Sequence, residues 1–168
     1  RGRHPPGRAR LRPLGRRIAL ALIALSFALG VLFSLRYDRG AGFVAFVLLG
    51  NLLGWFYAAP PVRLAYRGLG ELATATTVGL LLPAMGYLVM AGALDGAYLR
   101  LAPAPLLYGA AFIVAVQVPD VEADRLAGKN TLVSRRGRPW ALRALGVLAT
   151  AATLYLFLSG PAMAGRLP

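Results

Sequence analysis

The chain has no cysteine, one histidine, one lysine and only six carboxylates among its 168 residues. Without cysteine there is no disulfide framework, no thiolate chemistry and no cysteine-type zinc site. His4 lies in an arginine- and proline-rich stretch, where it reads as a solvated loop residue, so a histidine-based triad is not expected. Charged residues are scarce, at 15% against 58% hydrophobic, which is the balance of a membrane protein and not of a soluble domain. The formal charge of +13 does not point to nucleic acid, because long apolar runs separate the basic residues. The expected partner is the lipid bilayer.

What is present is a series of apolar runs. The first seventeen residues hold seven arginines with three prolines and three glycines. They lead directly into a full-length apolar segment, unlike a signal peptide. The chain starts at Arg1 and reads as cut from something longer: a basic cytoplasmic stretch over 1–17, then a transmembrane domain over 18–168. Five apolar segments approach the roughly 20 residues a helix needs to cross a bilayer: 18–35, 41–59, 72–94, 101–118 and about 140–163. The fold expected is an all-α polytopic membrane helix bundle. Pro103 and Pro105 fall near the start of the fourth segment, where neighbouring helices can satisfy the freed carbonyls. Asn51, in mid-span, is expected to face the interior and bond helix to helix.

Basic residues are distributed unevenly between the connections. The N-terminal stretch has seven, Pro60 to Glu71 has two, and Asp120 to Pro139 has five. These alternate with Arg36 and Arg39, with Arg100, and with Arg166. By the positive-inside rule the long basic connections face the cytoplasm.

The stretch Gln117 to Leu132 gathers three of the six carboxylates, Asp120, Glu122 and Asp124. Helical residues four apart share a face with Cβ atoms about 6 Å apart, so Asp120 and Asp124 point one way and Glu122 another. Two such carboxylates can hold Mg²⁺ while its remaining positions take water and phosphate oxygens. Gly128 ends the turn, and Lys129 adds a cation suited to phosphate. The same residues could also form an ordinary juxtamembrane loop of mixed charge. Glu122 and Arg125 point elsewhere and are expected to make local contacts, while Asp38 and Asp95 fall on the opposite side.

The loop Tyr57 to Glu71 is the second informative stretch. Pro60 and Pro61 stop the preceding helix, Gly68 and Gly70 let the chain turn, and Glu71 opens the next helix at its favourable end. Arg63 and Arg67 are positive-inside anchors by themselves. Beside an acidic metal face they become diphosphate ligands. Tyr57 and Tyr66 fit an interfacial anchoring role.

Together the two stretches resemble the UbiA-type intramembrane prenyltransferases. The first, Tyr57-x-x-Pro60-Pro61-x-Arg63-Leu64-x-Tyr66-Arg67-Gly68-x-Gly70-Glu71, is similar to the loop of the dihydroxynaphthoate branch that makes menaquinone precursors. The second, Asp120-x-x-x-Asp124 with Gly128-Lys129-x-Thr131-Leu132, is similar to the family's second aspartate-rich motif. Gln117 stands where many members have Asn and keeps the amide.

The resemblance implies a Mg²⁺-dependent transferase that moves a polyprenyl group from polyprenyl diphosphate to an aromatic acceptor such as 1,4-dihydroxy-2-naphthoate, in menaquinone or ubiquinone biosynthesis. Asp120 and Asp124 would be the metal ligands. Lys129 would assist departure of the leaving group, and Arg63, Arg67, Tyr57, Tyr66 and Gln117 would line the substrate site on the cytoplasmic face. The five segments would match the third to seventh helices of a fold with about nine. The first aspartate-rich motif would then belong to a missing N-terminal half. Two other readings follow: a catalytically incomplete fragment or non-catalytic membrane subunit, and an ion-coupled transporter using Asp120 and Asp124.

Overall fold

A computed structural model describes residues 7–164, with side chains described for 13–159. His4 lies outside that range. The described residues form helices and no strand: α1 (Gly7–Arg36), α2 (Gly40–Ala58), a 3₁₀ turn (Leu64–Tyr66), α3 (Gly70–Thr76), a π-helical turn (Thr77–Leu81), α4 (Leu82–Ala91), α5 (Gly96–Leu101), α6 (Pro103–Gln117), α7 (Val121–Leu126), α8 (Leu132–Arg136) and α9 (Arg138–Ala164). The all-α expectation holds. Helix α1 begins at Gly7, so part of the basic stretch is helical.

Among the described residues, four helical stretches are long and apolar enough to cross a membrane: Pro13–Arg36, Gly40–Ala58, Gly70–Ala91 and Arg138–Ser159. The fourth expected segment differs. Helix α6 has 15 residues, and at about 1.5 Å per residue it falls short of a hydrocarbon core of about 30 Å. Two prolines in its first three positions account for the break, since neither can donate a helical N–H. Helix α5 leads into α6 through Ala102, which keeps helical dihedrals of −51° and −35° and donates to the Tyr98 carbonyl at 2.8 Å.

The chain divides into two units, 1–51 and 52–168, the boundary falling inside α2. In the first, α1 and the start of α2 form a helical hairpin. Gly30 lies against Val47, so that a Cβ there would sit 2.7 Å from a Val47 methyl. Phe33 stacks on Phe43 with centroids 5.3 Å apart. Asn51 donates to Ser26 Oγ at 3.4 Å and to the Val47 carbonyl at 3.0 Å, which is the helix-to-helix bond expected of it.

The second unit is held by close backbone approach and little large-residue packing. A Cβ on Gly109 of α6 would lie 2.7 Å from the Gly79 N and Cα and 2.9 Å from the Ala75 carbonyl oxygen. The two backbones therefore touch, as small residues permit between membrane helices. Gly79 lies within the π turn, which frees a carbonyl from the regular ladder. The buried Tyr98 hydroxyl donates to Leu80 O at 2.6 Å. Toward the other end of the unit, Val114 of α6, Val121 of α7, Val133 of α8 and Ala141 of α9 form a buried cluster flanked by Trp140 and Leu145. That cluster fixes the two short helices carrying the acidic and basic residues.

Candidate functional site

The site begins with the turn after α7. Lys129 N–H bonds to Asp124 O at 2.9 Å and Gly128 N–H to Arg125 O at 3.1 Å. This is the paired bonding of a Schellman motif, which needs a left-handed residue after the helix. Gly128 supplies it with φ of +70°. The turn folds Lys129 back over the helix it has just left, and Lys129 Nζ meets Asp124 Oδ1 at 2.7 Å. Two residues on, Thr131 caps α8 from an extended backbone, its hydroxyl accepting from Ser134 N at 3.1 Å. Each fixed position of Gly128-Lys129-x-Thr131 thus has a local reason: the turn, the ion pair and the cap.

Asp124 is 5% exposed and shares the inner face of α7 with Val121. Asp120 sits one turn earlier at the N-cap, exposed, with no side-chain hydrogen bond or ion pair among the described residues. The hydrogen bond from Lys129 to Asp124 holds the Lys129 ammonium above the ordinary lysine range. Partial burial works against that shift, and the Asp124 charge and the nearby Tyr57 and Tyr66 phenols add to it. Lys129 and Asp124 are therefore brought together, and the loop that carries Tyr57 and Tyr66 packs against their turn.

Arg63 and Arg67 have local partners. Arg63 adopts a left-handed backbone, with φ of 52°, and lies over the Tyr66 ring at 5.3 Å. Arg67 donates to Pro61 O at 3.1 Å, across its own loop, which includes a cis Pro60–Pro61 bond. Neither pairs with a carboxylate among the described residues. The loop nonetheless packs against the lysine turn, since a Cβ on Gly68 would sit 3.3 Å from the Asn130 carbonyl oxygen and 3.7 Å from an Arg135 nitrogen. Glu122 pairs with Arg138 at 2.9 Å on the surface, and Arg125 donates to Ser134 O at 2.9 Å. These are the local contacts expected of Glu122 and Arg125.

Gln117 points at a residue that sequence reasoning treated as a helix opener. Its Nε2 donates to Glu71 Oε1 at 3.0 Å, and the backbone N–H of Leu132 donates to the same oxygen. Both side chains are buried. The one signal in the sequence was scarcity: Glu71 is one of six carboxylates in the chain and flanks an apolar run. Its neighbourhood includes an apolar groove of about 480 Å³, walled by residues such as Leu72, Ile113, Trp140 and Val147. A smaller recess of about 220 Å³ lies beside Tyr57, Thr74 and Thr77.

Long apolar helices with outward-facing leucines and a carboxylate–lysine cluster at one end define a polytopic integral membrane protein. The chain belongs to the UbiA prenyltransferase family, whose model matches residues 8–168. No curated protein and no solved structure matches it. Membership carries with it prenyl transfer from a prenyl diphosphate to an aromatic substrate within the membrane, generally dependent on Mg²⁺. The donor set fits such an ion. Although the described residues contain no group of three or more metal-binding side chains, Mg²⁺ takes one or two carboxylates when phosphate and water complete its shell. Asp120 and Asp124 are two carboxylates one turn apart, joined by the Asp124 N–H to Asp120 O bond at 2.8 Å.

Proposed function

We propose that this chain transfers a polyprenyl group from polyprenyl diphosphate to 1,4-dihydroxy-2-naphthoate, or a closely similar aromatic acceptor, at the cytoplasmic face. The observation that carries the reading is the meeting of Lys129 with Asp124 in a chain of this family. The likeness of the Tyr57–Glu71 loop to the dihydroxynaphthoate branch supports the choice of acceptor, and the excess of basic residues in the loops supports the cytoplasmic side.

In this reading Asp120 and Asp124 hold Mg²⁺, which when bound supplies positive charge to the diphosphate. Lys129 brings a second cation to the same leaving group, with Arg67 and Arg63 at the edge of the loop. Fixed cations aimed where negative charge develops lower the barrier more than the same cations in water would. The allylic C–O bond breaks with its electron pair on the diphosphate, a ring carbon of the acceptor forms the new bond to the allylic carbon, and the proton that ring carbon carried passes to solvent to restore the aromatic ring. No side-chain nucleophile is needed. Tyr57, and the face of Tyr66 that Arg63 does not cover, would stabilise positive charge on the allylic carbon, and the apolar helices would keep water from it.

The test uses the chain in lipid nanodiscs with a prenyl diphosphate, the naphthoate and Mg²⁺. Wild type is expected to form the prenylated product, and the double variant Asp120→Asn with Asp124→Asn to lose Mg²⁺-dependent diphosphate binding while still inserting. Unchanged binding in the double variant would refute the site assignment. Binding without turnover in wild type would refute transfer by this chain alone.

A further inference from the structure

Gln117, which the resemblance would place at the substrate site, bonds to Glu71, and neither takes part in the steps proposed above. Glu71 is 7% exposed in the first turn of α3, and Gln117, at 6%, is the last residue of α6. One oxygen, Glu71 Oε1, receives both Gln117 Nε2 and the backbone N–H of Leu132. It thereby joins three segments that are distant in sequence. Glu71 closes the loop that carries Arg63 and Arg67. Gln117 stands three residues before Asp120. Leu132 follows Lys129 by three.

The remaining oxygens, Glu71 Oε2 and Gln117 Oε1, are buried and have no hydrogen-bond partner among the described residues. A buried carboxylate with half its accepting capacity unused is an expensive way to hold helices together, since an apolar pair of similar volume often serves as well or better. Stability alone therefore does not account for the arrangement. Its geometry does, because this one oxygen spans all three segments that bear the charged residues.

We infer that Glu71 is a positioning residue for the diphosphate site. Through Gln117 and the Leu132 N–H it fixes the Asp120–Asp124 turn and the Lys129 turn against the arginine loop. The inference rests on the function proposed above. It assigns Glu71 no contact with substrate.

The test measures binding of pyrophosphate with Mg²⁺ to the full chain in nanodiscs by calorimetry, alongside its thermal unfolding. Glu71→Gln keeps an oxygen that can accept both bonds and is expected to stay within about threefold of wild type. Glu71→Leu combined with Gln117→Leu removes the link without stranding either side chain, and is expected to lose about tenfold or more in affinity, as loss of a supporting partner does at metal sites. Its unfolding temperature should fall by only the few degrees that the Leu132 N–H, left without its acceptor, accounts for. The inference is overturned if the double variant binds like wild type, if Glu71→Gln falls as far as the double variant, or if affinity falls only in step with stability. Glu71→Met with Gln117→Met is the second version should the leucine pair not fold, and failure of both to fold would make the link purely structural and also overturn it. Asp120→Asn with Asp124→Asn is measured in parallel. If that variant binds normally, the proposed site itself falls and takes this inference with it. If it loses binding while the Glu71/Gln117 variants keep it, only the positioning role is refuted.

Discussion

The crossing of α3 and its π turn with α6 offers the sharpest test of how this unit is held. In Gly109→Ala the new methyl would lie 2.7 Å from two backbone atoms of Gly79 and 2.9 Å from the Ala75 carbonyl oxygen. Ordinary carbon contacts sit at about 3.5–4.0 Å, so the helices must part by roughly 1 Å. No flexible side chain is there to give way, because all three obstructing atoms are backbone. Overpacking of this kind costs about 1–3 kcal/mol, and rigid neighbours put this site at the upper end, about 3 kcal/mol. Alanine's better helix propensity returns about 1 kcal/mol, leaving a net loss of about 2 kcal/mol. Gly86, in α4, has nothing within 4 Å of its would-be Cβ, so Gly86→Ala should gain up to about 1 kcal/mol from propensity alone. The two variants should therefore differ by about 3 kcal/mol although their chemistry is identical. Reversible unfolding of the micelle-solubilised chain with a denaturing detergent measures both. Equal stability of Gly109→Ala and Gly86→Ala would refute the backbone contact.

Two further outcomes follow from local geometry. Gly128→Ala places a Cβ on a residue with φ of +70°, and should destabilise the chain by about 1 kcal/mol in the same unfolding assay; an unchanged stability would show that the turn does not need a left-handed residue. At the other end of the second unit, Asp95 accepts from Tyr87 Oη at 2.8 Å and from the N–H groups of Ala97 and Tyr98. The Tyr87 hydroxyl first, then the Tyr98 N–H, holds its carboxyl below the ordinary aspartate range, against a small opposing effect of desolvation. A depressed folded-state value means that the contribution is present above the unfolded pKa of about 3.9 and is lost as pH falls through the folded value. The stability gap between wild type and Asp95→Asn should thus shrink on acidification below about pH 4 and stay flat above it. A gap independent of pH would contradict the bonding at Asp95.

Much of the site was legible because its determinants are local. Gly128 reads as a turn and Thr131 as a motif residue from their immediate neighbours, and the turn, the ion pair and the cap are all made within six residues. The length of α6 was legible only in part. The two prolines read as tolerable within one segment over 101–118, and the break before α6, with Ala102 keeping helical dihedrals between α5 and α6, came only with the structure. Glu71 was read as a residue suited to a helix start, which describes its position but not its partners. Those partners lie 46 and 61 residues away, and no local pattern encodes a contact of that span.

The sequence by itself determined that this is a helical membrane protein, because crossing a bilayer demands long apolar runs with internally satisfied backbones, and such runs stand out in composition. It also determined the chemistry on offer, since the chain has one lysine and few carboxylates to place. Only the tertiary structure decided which of them meet. The Gly79–Gly109 approach, the valine cluster under α7 and α8, and the single oxygen of Glu71 that joins three segments all arise from helices packing against each other. Packing couples residues through space, and the order of residues along the chain does not record it.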